Sequence, residues 1–463
     1  MNATTITATT LSWKDSKRYW WLLSPAIPVL TLIMLGLYQT TEMGIFAWAS
    51  WLVFYGLIPA LDWLMGSDRV VAPESAVSSL DADRYYRTIV YLFIPFQFAV
   101  IIWAAWIVAT IGMPWWHLLG LILSVGTISG VGINTAHELG HKTNTAERWL
   151  AKLTLGPVCY GHFFVEHNKG HHVRVSTPED PASSKMGEGF YAFLPRTMIG
   201  SFKSGWNIEK KRLQRNGESV WSVHNEVLQP YAVTLVLFGG LTAWLGWIVL
   251  PFLLLQAFYG ASLLEVVNYM EHYGLLRKKL PDGRVERCRP EHSWNSNNVI
   301  TNLVLYQLQR HSDHHANPTR RFQALRPFEH SPELPVGYMG MILVSYVPPL
   351  FFRIMDHRVA EHYHYDLTQA NLYAPRKARL MARWHHPQAA AQGTAETEAV
   401  AVPRDAAPAT RYECPNCGYI YDEAEGCEHE GIAPGTTWTQ LPATWPCPDC
   451  AVREKPDFRP VID

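Results

Sequence analysis

Charged residues are sparse in this sequence, and cysteine is almost missing from most of it. Asp, Glu, Lys and Arg make up 17% of the 463 residues, whereas 48% are hydrophobic. Only Cys159 and Cys288 lie before residue 411, far apart from each other. A framework of several disulfides is therefore excluded for this part of the chain.

Two common sequence patterns are also missing. Met1 to Thr10 lack the basic, apolar and small-residue order of a cleavable signal peptide, so we expect membrane insertion without cleavage. No G-x-G-x-x-G follows a strand and opens a helix, which argues against a dinucleotide-binding domain in the chain. The net charge of −1 gives no reason to expect a nucleic-acid partner.

The hydrophobic residues are concentrated in six runs that can each span a bilayer, which requires about 20 helical residues. The first part of the chain is therefore predicted to be an all-α polytopic membrane protein, covering residues 1–386. An unusually apolar soluble core is the alternative, but it does not explain why all six runs agree with one topology. The predicted spans are 20–40, 44–65, 88–110, 115–136, 231–249 and 251–271.

Basic residues give these spans an orientation. The three short connections between paired spans contain no Lys or Arg, whereas the opposite ends hold most of the basic residues. By the positive-inside rule, both termini and the long segment after the fourth span are cytoplasmic. A seventh apolar run, 334–355, is interrupted by Pro348 and Pro349. We therefore expect it to form an interfacial or protein-packed segment that covers the site of the histidines between residues 137 and 315.

Nine histidines lie in short motifs between residues 137 and 315, and this topology brings all of them to one membrane face. Neutral imidazole is the commonest protein metal ligand. On an α-helix His137 shares a face with His141, and His167 with His171. Adjacent rings are turned by about 100° and can reach different ions. The spacings therefore predict a two-metal catalytic centre, and the adjacent pairs are His171–His172 and His314–His315.

The last 53 residues have a different composition. From Arg411 onward, four basic residues face ten acidic ones. Two CxxC motifs, Cys414–Cys417 and Cys447–Cys450, predict a four-thiolate site for iron or zinc. The 29 residues between the motifs exceed the usual zinc-ribbon interval. With its aromatic residues, the segment 411–463 resembles rubredoxin, a small β-rich electron carrier with one iron. Cys427 and Ala451 depart from the rubredoxin pattern, but neither is one of the four ligand positions.

The segment 387–410, which precedes this domain, is predicted to be a flexible linker.

Residues 20–375 resemble the integral-membrane alkane 1-monooxygenases, which are non-haem diiron enzymes. The resemblance is carried by the segments His137-Glu-Leu-Gly-His141-Lys, Glu166-His-Asn-Lys-Gly-His-His172, Asn268-Tyr-Met-Glu-His-Tyr-Gly-Leu275 and Leu308-Gln-Arg-His311-Ser-Asp-His-His315. It implies two iron ions and the ligands His137, His141, His167, His171, His172, His272, His311, His314 and His315. The other histidines are expected to be surface or packing residues; His162 and His292 are examples.

The resemblance also implies an activity. Medium-chain n-alkanes would be hydroxylated to 1-alkanols with O2, at the cytoplasmic face of a bacterial-type inner membrane. Electrons would come through the fused rubredoxin from a separate FAD-containing, NADH-dependent rubredoxin reductase. The alternatives are a fatty-acyl desaturase or ω-hydroxylase on the same scaffold, or a non-enzymatic membrane iron or redox sensor.

Three further groups of residues are candidates to support the site, to select the substrate or to dock the C-terminal domain. Carboxylates beside the ligands are candidates to orient imidazoles, or else are solvated: Glu138, Glu166, Glu271 and Asp313. Aromatic residues in the second span are candidates to limit alkane length, or else pack against helices or lipid: Trp51, Phe54 and Tyr55. Basic residues are candidates to dock the acidic tail in a salt-dependent way: Lys169, Arg174, Lys210, Lys211, Arg212, Arg320 and Arg321.

Overall fold

Six helical units dominate the computed structural model, which describes residues 13–281, 283–386 and 410–461. All six are long and apolar enough to cross a membrane, so the chain is a membrane protein and the six-span prediction is confirmed. Their ends differ from the predicted ends by at most four residues. The units are Trp20–Thr41, Gly44–Met65, Arg84–Thr110, Trp115–Gly140, Leu228–Leu245 and Val249–Glu271.

The helices that precede the C-terminal domain are numbered in chain order. They are α1 (Leu23–Thr41), α2 (Gly44–Leu52), α3 (Ile58–Met65), α4 (Glu74–Ala82), α5 (Arg84–Thr110), α6 (Trp115–Gly140), α7 (Thr145–Leu155), α8 (Phe163–Glu166), α9 (His172–Arg174), α10 (Phe190–Arg215), α11 (Leu228–Leu245), α12 (Val249–Glu271), α13 (Val299–Val304), α14 (His311–Ala316), α15 (Tyr338–Ser345), α16 (Pro348–His362) and α17 (Lys377–Trp384). Two π-helical turns interrupt the series, one at Val53–Leu57 between α2 and α3 and one at His167–His171 between α8 and α9.

Small residues bring α6 and α12 together in parallel. A Cβ atom added at Gly126 would lie 2.8 Å from the Gln256 carbonyl oxygen, and one at Gly260 would lie 3.0 Å from the Gly126 carbonyl oxygen. Small residues allow this close approach in a bilayer, where helices gain little from hydrophobic burial. The hydroxyl of Ser129 donates a hydrogen bond of 2.5 Å to Gln256 Oε1. Both helices therefore end side by side.

The apolar segment 334–355 forms two helices that pack on the protein. Tyr338, Met339 and Ile342 of α15 are buried. Pro348 stands at the start of α16, where its missing N–H costs no helical hydrogen bond. The two prolines that interrupt the apolar run therefore begin the second helix.

A three-stranded antiparallel sheet marks the C-terminal domain. Strand β1 (Arg411–Glu413) lies between β2 (Ile420–Asp422) and β3 (Arg459–Pro460). Tyr421, Trp445 and Phe458 form its small core together with buried cysteines. The predicted fold class, a helical membrane protein with a small β-rich domain, is confirmed. The linker predicted at 387–410 lies outside the described residues, apart from Thr410.

Candidate metal centres

Five buried histidines form a first group at the end of α6. Their candidate ligand atoms all lie within 4.8 Å of one another. Three nitrogen pairs are closer still: His314 Nε2 is 2.8 Å from His137 Nε2 and 3.1 Å from His172 Nε2, and His172 Nε2 is 3.1 Å from His167 Nε2. The members of this group are His137, His141, His167, His172 and His314.

Four buried histidines form a second group: His171, His272, His311 and His315. His315 Nε2 lies 2.9 Å from His311 Nε2, which lies 3.3 Å from His272 Nε2. Each adjacent pair of the sequence contributes one ring to each group. This is the arrangement expected from the rotation between neighbouring residues on a helix. The structure thus brings all nine predicted histidines into two neighbouring clusters.

One expected pairing differs from the structure. An α-helix would place His167 and His171 on one face, but these residues form the π-helical turn. The wider turn brings residues five apart together, so His167 meets His172, while His171 belongs to the other group. The π turn therefore allows this one short motif to supply both groups.

The unpaired nitrogens fit metal ions. Among the described residues, His141 Nε2 and His171 Nε2 are buried and have no hydrogen-bond partner. Burial holds the pKa of His141, and that of His167, well below the usual range. Burial thus favours the neutral form of these two rings, which is the form that a metal ligand must have. A cluster of buried imidazoles suits transition-metal ions, which take nitrogen ligands readily.

Only one of the four candidate carboxylates lies beside a histidine nitrogen of these groups. Glu271 Oε2 is 3.2 Å from His311 Nε2. Glu138 pairs with Lys142 at 3.0 Å, Glu166 with Arg174 at 2.9 Å, and Asp313 with Arg320 at 3.1 Å. These three carboxylates neutralise nearby cations in the structure.

Asp180 was missed by sequence reasoning. His171 Nδ1 lies 2.9 Å from Asp180 Oδ2, which also accepts a 2.6 Å hydrogen bond from Ser183 Oγ. This contact fixes the ring orientation of His171 and leaves Nε2 directed at the second group. No sequence signal marks Asp180, because it follows the motif in a loop.

Histidines expected to be structural have other partners. His162 Nδ1 lies 2.8 Å from the Tyr231 hydroxyl. His292 Nδ1 accepts a 2.9 Å hydrogen bond from the Arg289 amide, and its Nε2 lies 3.5 Å from Glu286. Neither residue belongs to the two groups. The backbone carbonyl of His292 faces His272 Nδ1 at 3.3 Å, so this residue acts on the site through its main chain.

An apolar cavity reaches both histidine groups. Phe54 and Tyr55, which belong to the first π turn, line it, as do Met339 and Ile342 of α15. Polar and ligand residues are found in the same lining: Asn134, His137, His167, Asn268, Glu271 and His311. Trp51 does not line the cavity; its indole N–H donates a 3.1 Å hydrogen bond to the Tyr259 hydroxyl. Of the three aromatic candidates, two are therefore placed in the cavity.

The four cysteines of the CxxC motifs also meet. Their sulfur atoms lie within 4.8 Å of one another, with Cys417 Sγ 3.5 Å from Cys447 Sγ. Cys427 is outside this group. Four thiolates at such distances suit a tetrahedral ion.

Comparison with known proteins agrees with this geometry. A family model for fatty acid desaturases matches residues 113–345. Alkane 1-monooxygenase 1 of Alcanivorax borkumensis is 48% identical over 363 residues, which are 77% of this chain and 89% of that protein. The alkane 1-monooxygenase of Acinetobacter baylyi is 48% identical over 373 residues, which are 80% of this chain and 91% of that protein. The chain belongs to the alkane 1-monooxygenase family.

The chain is also similar to a second hydroxylase and, in its C-terminal domain, to rubredoxins. The hydroxylase component of a xylene/toluene monooxygenase of Pseudomonas putida is 30% identical over 246 residues, which are 52% of this chain and 63% of that protein. A rubredoxin model matches residues 411–458, the domain with the four cysteines. The chain thus combines an alkane 1-monooxygenase part with a rubredoxin domain.

The rubredoxin domain contacts the monooxygenase part beside the second π turn. Lys169 Nζ donates to Glu430 Oε1 at 2.8 Å and to the Pro448 carbonyl at 2.6 Å. Arg215 Nη2 lies 3.0 Å from Glu430 Oε2, and Arg287 pairs with Asp457.

Of the seven basic residues expected to dock the rubredoxin domain, only some contact it in the structure. Lys169 contacts the domain, and so does Arg212, which donates to the His429 carbonyl at 3.3 Å. Lys211 lines the hollow between the two parts, and Lys210 is exposed. The remaining three pair with carboxylates of the monooxygenase part instead: Arg174, Arg320 and Arg321. Sequence reasoning missed Arg215 and Arg287, which no motif marks.

Proposed function

We propose that this chain hydroxylates medium-chain n-alkanes at a terminal carbon, using O2 and electrons that pass through its rubredoxin domain. The observation that carries the proposal is the apolar cavity that runs from Phe54 and Tyr55 to His137, His167 and His311. An alkane offers no polar group to bind, so only shape and apolar contact can select it. The overall reaction converts alkane, O2, two electrons and two protons into 1-alkanol and water.

The nine clustered histidines are the proposed ligands of two iron ions. The first group would supply five imidazoles to one ion and the second group four to the other. Bound and reduced, the two ions would supply O2 activation and removal of hydrogen from the substrate carbon. Asp180 would hold His171 in position, and the His292 carbonyl would do the same for His272. The four rubredoxin cysteines would hold one further iron.

The cavity residues would present the chain end to the irons. Side chains from α6, α12 and α15 surround a narrow apolar space, including Val131, Val267 and Ile342. An alkane can enter such a space only lengthwise, so a terminal methyl group arrives first. The hydrocarbon core of the bilayer supplies the substrate, because alkanes accumulate there.

Electrons would enter where Lys169 contacts the rubredoxin domain. Lys169 lies in the π turn between two proposed ligands, His167 and His171, and its ammonium touches the Pro448 carbonyl beside Cys447. The acidic rubredoxin domain would dock on this basic surface by charge complementarity. A separate FAD-containing, NADH-dependent rubredoxin reductase would reduce it. In this proposal the chain consists of a membrane hydroxylase domain at 1–386, a flexible linker at 387–410 and a rubredoxin domain at 411–463.

The basic ends of the spans favour a cytoplasmic position for the iron site, the rubredoxin domain and both termini. Most basic residues near the spans lie at the end of the bundle where α6 and α12 finish. The reducing cytoplasm also keeps the four cysteines available as ligands. The proposed location is therefore the inner membrane of a bacterial cell.

The test uses the purified full chain in lipid with NADH, a rubredoxin reductase, a medium-chain n-alkane and 18O2. Mass spectrometry should find 1-alkanol that carries one labelled oxygen atom. The matched control is Cys447→Ser, which removes one rubredoxin ligand and leaves the histidines intact; it should stop NADH-driven turnover, and added separate rubredoxin should restore it.

Other products would select the alternatives. Because a desaturase model matches residues 113–345, fatty-acyl substrates are tested in the same preparation. An unsaturated acyl product without label would establish a desaturase, and labelled ω-hydroxy acid an ω-hydroxylase. A rubredoxin domain that is reduced while no substrate consumes O2 would favour a redox sensor.

A further inference from the structure

A basic pocket of about 490 Å³ lies between α16 and α17. Four arginines line it. Arg353 comes from α16, Arg379 and Arg383 come from α17, and Arg376 immediately precedes α17. None of its residues belongs to the histidine groups or to the cavity that reaches them.

The charge of this pocket is not balanced within the described parts of the chain. There, none of the four arginines forms an ion pair with a carboxylate, and Asp356 is the one carboxylate in the lining. Asp356 Oδ1 already accepts a 2.7 Å hydrogen bond from the Tyr273 hydroxyl. Burial raises the pKa of Asp356 to about 6, although Arg383, Arg376 and Arg379 act in the opposite direction. The pocket thus presents at least three uncompensated guanidinium groups.

Aromatic rings hold two of these arginines in place. The guanidinium of Arg376 lies 4.8 Å from the centre of the Phe352 ring, and that of Arg383 lies 4.9 Å from the centre of the Trp384 ring. A guanidinium group over an aromatic ring is attracted by the ring and can keep N–H edges available for other partners. Several such edges suit the oxygen atoms of a phosphate.

Exposed apolar side chains lie next to the pocket. Val347 is 49% exposed, Leu350 is 43% exposed and Tyr191 is 62% exposed. Leu350 and Arg353 are three residues apart on α16 and therefore share a face. In a membrane protein, exposed apolar residues beside a basic cluster mark the level where acyl chains meet headgroups.

We propose that this pocket binds the phosphate-bearing headgroup of an anionic phospholipid, with the acyl chains along the apolar residues at the start of α16. The shared chemistry is a phosphate held by several arginines, which a lipid headgroup or free phosphate can supply. The adjoining apolar surface favours the lipid. This inference does not depend on alkane hydroxylation.

The test measures binding of phosphatidylglycerol to the delipidated full chain in detergent, by native mass spectrometry and by the shift of the unfolding temperature. Phosphatidylcholine and inorganic phosphate are measured in parallel. The variant is R379Q/R383Q, which removes two charges from exposed positions of α17. The matched control is K203Q/K210Q, which removes two charges from exposed positions of α10.

Wild-type protein should bind phosphatidylglycerol, and R379Q/R383Q should bind it about tenfold more weakly or worse, since each basic residue near an anionic membrane contributes to attraction. K203Q/K210Q should match wild type, and phosphatidylcholine should bind none of the proteins in this way. Equal binding to wild type and R379Q/R383Q would overturn the proposal. Displacement of the lipid by equimolar inorganic phosphate would assign the pocket to free phosphate and overturn the lipid assignment.

A second measurement does not depend on the variants. Phosphatidylglycerol with a photoreactive headgroup is bound to the wild-type full chain, crosslinked and mapped by peptide mass spectrometry. The label should be found between Pro348 and Trp384. Label that is spread over the basic ends of the other helices, without enrichment in this segment, would contradict the proposal.

Discussion

Lys169 Nζ lies 2.6 Å from the carbonyl oxygen of Pro448, and so joins the turn that carries His167 and His171 to the loop that carries Cys447 and Cys450. Among the described residues, no other hydrogen bond or ion pair joins a histidine motif to a CxxC motif. Replacing Lys169 by Gln should slow oxidation of the reduced rubredoxin domain about tenfold, because a charge-assisted hydrogen bond is worth roughly 1.5 kcal/mol or more. Stopped-flow absorbance of the rubredoxin iron measures this rate.

The control for that variant is Lys203→Gln, which removes one exposed charge from α10 and should leave the rate unchanged. Rising salt should slow the wild-type reaction if the domain docks anew in each turnover. Salt screens the attraction between the acidic rubredoxin domain and the basic surface, and the screening length is about 10 Å at 0.1 M. A Lys169 variant with the wild-type rate, together with a rate that ignores salt, would indicate a permanently docked domain with another electron route.

His429 should make docking depend on pH. Its pKa is lowered by burial and by Lys169 and Arg148, while Glu226 and Glu430 oppose this shift. The docked state thus favours the neutral His429 ring. The contribution of this ring to docking is fully present above its ordinary pKa of about 6.5. It is lost as the pH falls through the lowered pKa, because the ring must then be protonated at the contact. The rate of rubredoxin oxidation should decline over this window. His429→Gln should flatten the profile, and a rate that rises on acidification would show that the 3.5 Å contact with Glu226 dominates instead.

Phe54 and Tyr55 should limit the length of the alkane. Both line the cavity, and replacement by Ala opens space at the end away from the histidines. For an alkane too long for wild type, kcat/KM should rise about tenfold or more, the value of one accommodated methylene group. Product profiles over a series of n-alkanes measure this change. Trp63→Ala is the control, because Trp63 is 82% exposed; unchanged profiles for both cavity variants would remove these residues from substrate selection.

The sequence was sufficient for features that depend on composition and spacing. Six apolar runs gave the spans, and paired cysteines gave the rubredoxin site. The grouping of His167 with His172 was not predictable, because a π turn depends on a shift of hydrogen bonds that no residue type specifies. Asp180 and Arg287 were missed for a different reason. Each reaches its partner through the tertiary fold, from a loop that carries no motif.

Ala451 should cost the rubredoxin domain stability. Its φ angle is +54°, in the left-handed region that favours glycine. The strain of an L-residue there is about 1–2 kcal/mol, partly offset because glycine loses about 0.5–1 kcal/mol more backbone entropy on folding. Ala451→Gly should therefore stabilise the domain by about 0.5–1 kcal/mol. Thermal loss of the rubredoxin iron absorbance in the full chain measures this, and Ala443→Gly, at an exposed position without positive φ, should shift stability the other way.

His171 and His292 are both buried at the second histidine group, yet we expect only the replacement of His171 to lower the iron content. His171 Nε2 has no hydrogen-bond partner and belongs to the four-histidine group, so His171→Ala should lose about one iron per chain, because a site with three remaining imidazoles binds its ion more weakly. His292 contributes its carbonyl to His272 and keeps its ring with Arg289 and Glu286, so His292→Ala should retain the wild-type iron content. Elemental analysis, with the rubredoxin absorbance as an internal standard for the third iron, distinguishes the two variants. Loss of iron from His292→Ala alone would show that the ligand set has been assigned incorrectly.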